Sequence, residues 1–198
     1  QFKGDGPAQQ VLCTAGSDGS VKGFIANPLV DLPAREDGSP DVGGALGIGV
    51  LTTAAKDGLA SPEAMALAHR LMTTLNKAAR DCMVRYAVHA CTDVTGFGPL
   101  GHAFEMAQGS DTHLTLFPGE IDLIPEALEF ARDGILPAGM YRNRHYAEAA
   151  VDPGSTELAV QDMLYDPQTS GGLLIAAAPE DAEALLRELR GAVPSAQR

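Results

Sequence analysis

The run Gly172–Ala178, GLLIAAA, is apolar at almost every position and is followed directly by Pro179. Too short for a helix that stands alone, it reads as a core strand, and a core strand obliges the rest of the chain to supply cover. Tyr86–Thr92, YAVHACT, reads as a second buried strand. Thr112–Phe117, THLTLF, alternates polar and apolar residues as a half-buried strand does.

Helical patterns fill the intervals. Ile48–Lys56 is predicted as a short helix ended by Gly58. Ser61-Pro62-Glu63 supplies an N-cap, a proline in the first turn and an acid near the helix start, so a long helix is expected from there to about Arg80. Further helices are expected at Pro99–Gln108, Ile124–Arg132, Glu157–Leu164 and Pro179–Arg190, whereas 135–156 reads as a long loop with one turn around Arg144–Ala149. Helices interspersed with strands predict an α+β fold, a two-layer α/β sandwich. Residues 1–45 differ in texture: QFKGDGPAQQ, GSDGSVKG and LPAREDGSPDVGG are turn chemistry, with short apolar pieces such as Val21–Ile25 between them. The expected division is a turn-rich leader or remnant of an upstream domain over 1–45, then one domain over 46–198.

Charge and cysteine usage narrow the function. Lys+Arg 14 against Asp+Glu 26 gives a net charge of −12 over 198 residues. A field of that sign repels a phosphate backbone, which argues against nucleic acid as partner and requires a metal or a helix N-terminus wherever a phosphate-bearing ligand binds. No apolar run reaches the roughly 18 residues that cross a bilayer, so no membrane partner is expected. Cys13, Cys82 and Cys91 form no CxxC pair, which favours a reducing cytoplasm.

Two glycine-bearing loops adjoin the apolar strands. In Cys91-Thr92-Asp93-Val94-Thr95-Gly96-Phe97-Gly98 a carboxylate stands where a strand ends and a helix begins. Asp93 there suits a hard cation, and Thr92, Thr95, Gly96 and Gly98 suit an anion; equally, Asp93 and Thr95 can simply cap the helix while the glycines make the turn. Tyr165-Asp166-Pro167-Gln168-Thr169-Ser170-Gly171-Gly172 offers hydroxyls and glycines at Thr169, Ser170, Gly171 and Gly172 for a nucleotide's phosphates, or a plain turn into the strand. Both loops flank strands of one domain, so they are expected to meet at one edge of the sheet. None of the five histidines shows metal-ligand spacing, Cys91 is expected to be inert packing, and Arg142-Asn143-Arg144-His145 reads as solvated loop charge.

LGIGVLTTAAKDGLASPE, ACTDVTGFGPLGHAFEMAQG and DPQTSGGLLIA, in that order, with the weaker piece GILPAGMYRN, resemble the C-terminal domain of selenophosphate synthetase (selenide, water dikinase) over about residues 46–190. That domain belongs to the superfamily of aminoimidazole ribonucleotide synthetase. The resemblance implies a mixed sheet with helices packed on one face, and a reaction that moves the γ-phosphoryl of ATP to selenide, giving selenophosphate, AMP and phosphate with Mg²⁺. It also implies a homodimer and a metal-ligand role for Asp93. A reactive cysteine, a lysine and further aspartates precede this domain in the family. None is recognisable in residues 1–45, Cys13 lacks the flanking pattern, and Asp41-Val42-Gly43-Gly44-Ala45 stands where the family has a strand ending in Lys-Pro. No catalytic residue is therefore assigned, and the isolated chain is expected to be inactive without a missing N-terminal domain or a partner chain. The alternatives are a non-catalytic binding or dimerisation module and an ATP-dependent synthetase or kinase with another acceptor.

Overall fold

The structure, a computed structural model, describes residues 22–26 and 45–192. Cys13 and the 41–44 part of the expected strand replacement lie outside the described residues.

The chain is α+β, as the patterning predicts. Its centre is β3, Leu173–Ala177, in which every residue is buried. Strand β1, Lys22–Ala26, pairs with it antiparallel, Phe24 opposite Ile175, and β2, Val88–Asp93, pairs antiparallel on its other side, Asp93 opposite Leu173. The order is β1-β3-β2. The expected mixed sheet is thus antiparallel among the described strands: the chain leaves β2 and re-enters β3 at the same end, where the Val94 N–H donates to the Gly172 carbonyl at 2.8 Å.

Helices lie on both faces of this sheet, not on one. Leu173, Ile175 and Ala177 pack against Ala182, Leu185 and Leu189 of α8 (Pro179–Ala192) and Ala79 and Cys82 of α3 (Lys77–Met83). Leu174 turns the other way, into a cluster with Leu100 and Ala103 of α4 (Gly98–Gly109). A strand apolar at both odd and even positions must lose water on both sides, and only two helical layers provide that. A separate helical core joins α1 (Ile48–Lys56), α2 (Pro62–Thr73), α5 (Pro125–Arg132) and α7 (Leu158–Tyr165) around Val50, Leu51, Leu67, Leu71, Ile124 and Met163.

Four further expectations need correction. The long helix from Pro62 stops at Thr73, where the Thr73 and Thr74 hydroxyls donate to the carbonyls of His69 and Arg70 at 2.9 and 2.7 Å and Thr74 turns extended. The extended turn at Thr74 leaves Leu75 77% exposed, and α3 restarts at Lys77, packed on α8. THLTLF forms no regular strand, only bridge positions at His113 and Thr115. Strand β2 is half-buried rather than buried, with His89, Cys91 and Asp93 on its exposed face. Finally, the supposed loop 135–156 contains α6, Ala138–Ala147, which presents Met140, Asn143 and Ala147 to the interior. A polar residue in the middle of the buried stripe hid its period.

Candidate functional site

The two glycine loops meet, and their contacts explain much of their wording. Beyond the Val94–Gly172 bond, the Gln168 N–H donates to the Thr95 carbonyl at 2.9 Å. A Cβ on Gly171 would stand 2.0 Å from the Val94 carbonyl oxygen, so only glycine lets the strands' ends come this close. Gly98 has φ +69° and its Cβ would fall 2.8 Å from the Asp166 carbonyl oxygen. Helix α6 clamps the pair from outside: the Asn143 amide donates to the Gly96 carbonyl at 2.8 Å and to the Tyr165 carbonyl at 2.9 Å.

The third motif is locked to the same place. Asp166 and Gln168 sit against the N-terminus of α1. The Gly49 N–H donates to Asp166 Oδ2 at 2.8 Å, and the Gly47 and Ile48 N–H groups reach Gln168 Oε1 at 3.3 and 3.4 Å. The Gln168 amide then donates to Asp166 Oδ2 at 2.8 Å, while Asp166 Oδ1 is buried with no partner. Burial pushes the Asp166 carboxyl up to about 7, against the opposing pull of the Gly49 and Val50 N–H groups and the Gln168 amide. LGIG, TDVTGFG and DPQTSGG are therefore one interlocked backbone cradle.

What remains open to solvent is smaller. Asp93 is exposed at the end of β2; Gly96, Thr169 and Ser170 are exposed, and Ser170 holds a left-handed φ of 53°. Thr92 and Thr95 are half-buried, the Thr92 hydroxyl donating to the Asp93 carbonyl at 3.2 Å and Thr95 Oγ1 lying 3.3 Å from His102 Nε2. Gly98 and Gly172 are buried and Gly171 half-buried, so these serve the close approach of backbones before any ligand. Phe97 stacks on Tyr146 at 5.7 Å beside the mouth.

A magnesium ion asks for few protein ligands and keeps waters and phosphate oxygens for the rest. The exposed Asp93 carboxylate fits one such position. Among the described residues no group of three His, Cys, Asp or Glu could hold a metal by itself. Cys91 is exposed as a residue, contrary to expectation, yet its thiol is pushed up to about 11, first by loss of hydration around it and then by the Asp93 charge. Both causes make it a poor nucleophile.

Arg142–His145 lies on α6 and not in a loop. Arg144 pairs with Asp162 and covers the Tyr165 ring at 5.5 Å, while burial holds the Asp162 carboxyl above its usual range despite that partner. Sequence reasoning passed over Asn143, Asp166, Gln168 and His102. The first three stand inside the quoted pieces GILPAGMYRN and DPQTSGG, and the signal was an amide or acid placed beside glycines whose carbonyls and N–H groups needed partners.

The α+β sheet, sandwiched by helices and closed by the interlocked loops, defines a domain of a recognised class. A crystal structure of hydrogenase maturation protein HypE shares its fold, with a TM-score of 0.50 at 17% identity over 78% of this chain and 40% of that one. The model of the AIR synthase related protein C-terminal domain matches residues 40–197, and the chain belongs to that family. A second model, Hsp33 protein, matches residues 1–66 and overlaps the first. Among curated proteins, the chain is 42% identical over 148 residues to a selenide, water dikinase of Treponema denticola, covering 75% of this chain and 42% of that protein. Enzymes of the same name from Clostridioides difficile and Caldanaerobacter subterraneus are 44% and 46% identical, each with 73% of this chain and 42% of the relative covered. The chain thus spans less than half the length of the relatives it matches.

Proposed function

We propose that this chain is the C-terminal portion of a selenide, water dikinase, transferring the γ-phosphoryl of ATP to selenide and releasing selenophosphate, AMP and phosphate. Residues 46–198 form the synthetase-like domain; residues 1–45 are a leader, or a remnant of an upstream domain, that lends one strand to the sheet. The observation that carries the reading is the junction of the two loops, with the Asp93 carboxylate exposed beside the Gly96 and Thr169-Ser170 surface. In phosphoryl transfer the protein mostly positions groups and neutralises charge. Asp93 would hold Mg²⁺, which supplies that neutralisation when bound; Thr92, Thr95, Gly96, Thr169 and Ser170 border the space for phosphates, and Gly98, Gly171 and Gly172 hold the two loops together behind it. With a net charge of −12 the chain has little cationic charge of its own to offer, which favours a metal-borne phosphate. The working unit is a cytoplasmic homodimer that includes an N-terminal domain or partner chain.

One carboxylate cannot align a γ-phosphoryl unaided, so the 198 residues alone should release no AMP. Adding the amino-terminal part of the Treponema denticola relative should restore selenide-dependent AMP release, and Asp93→Asn should abolish it without changing the chain's unfolding midpoint. Restored activity that is indifferent to Asp93→Asn sinks the metal assignment. An aminoimidazole precursor replacing selenide as acceptor would instead favour the related-synthetase alternative.

A further inference from the structure

A cleft of about 350 Å³ opens beside α4, and none of the residues lining it belongs to the two glycine loops. Ala103, Phe104 and Ala107, on one stripe of the helix, stand in one wall, and Leu114, Leu116 and Val151 stand in the other. The two alanines, a turn apart, are too short to close the gap, while Phe104 is held by Tyr146, edge to face at 5.4 Å. Among the described residues that line the cleft there is no Asp, Glu, Lys or Arg. Thr112 also lines it: the Thr112 N–H donates to the Ala107 carbonyl at 3.0 Å, and Thr112 Oγ1 is buried with no partner. A buried hydroxyl left unpaired is costly, and its persistence calls for a reason.

We propose that this cleft is a binding site, separate from the nucleotide surface, for a neutral bicyclic aromatic molecule that carries one hydroxyl or ring N–H. The size follows from the volume: a dry cavity of about 150 Å³ takes one benzene ring, so about 350 Å³ takes two fused rings. Neutrality follows from the lining, because apolar walls without a counter-charge make the burial of an ion costly, and the net charge of −12 repels an anion besides. The single polar atom follows from Thr112. Staggered χ1 wells lie about 120° apart, so one rotation exchanges the threonine methyl and hydroxyl and turns Oγ1 out of its closed corner onto the ligand. The ligand thereby supplies the partner that the protein does not.

The test uses the whole 198-residue chain with 2-naphthol and naphthalene as probes. Both should bind saturably, with amide NMR shifts centred on Ala103–Gln108 and Thr112–Leu116. Thr112→Val keeps the shape and removes the hydroxyl. It should weaken 2-naphthol roughly three- to tenfold, the range one hydrogen bond supplies, and leave naphthalene unchanged. Without probe it should raise the thermal midpoint by about 2–4 °C, because an orphaned buried group is gone. Ala107→Phe should fill the cleft, exclude both probes and leave the midpoint no lower. A wild type that binds neither probe, or whose shifts spread over the whole chain, overturns the proposal. So does a Thr112→Val loss that is equal for the two probes, an unchanged 2-naphthol affinity or an unraised midpoint in that variant, or a lowered midpoint in Ala107→Phe. Should Thr112→Val not fold, Ala107→Phe decides, since continued binding of either probe there places the site elsewhere.

Discussion

Asp166→Asn replaces the one fully buried carboxylate of the loop cradle by an amide of the same shape that cannot titrate. In the wild type this side chain is 0% exposed, and the burial that pushes its carboxyl from 3.8 to about 7 outweighs the N–H groups that oppose it. The folded value lies above the unfolded one, so between the two the native state binds more protons. The group's contribution to stability is therefore complete below about pH 4, declines as pH rises, and levels off above about 7. At 1.36 kcal/mol per pH unit, a gap of about three units sets a decline on the order of 4 kcal/mol. Urea unfolding of both proteins from pH 4 to 8 isolates it, because the other carboxylates, including Asp81 and Glu157 whose ion pairs pull them the opposite way, cancel in the difference. The wild-type stability minus that of Asp166→Asn should fall across the window and then run flat. A difference independent of pH, or one that rises, would refute the claim that Asp166 is held without adequate compensation at the start of α1.

Other substitutions probe the same cradle. Asn143→Ala leaves the buried Tyr165 carbonyl and the partly buried Gly96 carbonyl without this donor and should cost about 2 kcal/mol in denaturant unfolding, since one orphaned buried group costs about 1–3; a loss below about 0.5 kcal/mol contradicts the clamp. Gly171→Ala drives a Cβ into the Val94 carbonyl and should lower the thermal midpoint by at least about 5 °C, whereas an unchanged midpoint means the strand ends separate freely. Alkylation of Cys91 near pH 8, mapped by mass spectrometry, should be far slower than that of an ordinary exposed thiol, and Asp93→Asn should accelerate it. Equal rates in both proteins would remove Asp93 as a source of the shift.

Parts of the fold were legible because local chemistry and tertiary demand agree there. Helices α1, α5, α7 and α8 fall within two residues of their expected ends, and Ser61 caps α2 through the bond its Oγ accepts from the Ala64 N–H at 3.1 Å. Helix α6 escaped notice because its buried face includes Asn143, whose partners are carbonyls 47 and 22 residues away; no local pattern records such a bond. The break after Thr73 was missed for a related reason: apolar spacing continues through Leu75, and only the extended backbone at Thr74 and the packing of α3 on α8 reveal the stop.

For the candidate site, the chain's own wording determined which residues stand together: a carboxylate at a strand end, glycines on both sides, hydroxyls in the second loop. It also determined the sign of the charge and hence the need for a cation beside any phosphate. The tertiary structure alone decided which of those residues face solvent. Glycines read as ligand-facing turn out to serve backbone contact, Asp166 and Gln168 close a helix end, and Thr95 is tied to His102. The physical reason is that a buried N–H or carbonyl must find a partner wherever the fold brings one, and those partners lie tens of residues away, beyond the reach of any period in the sequence.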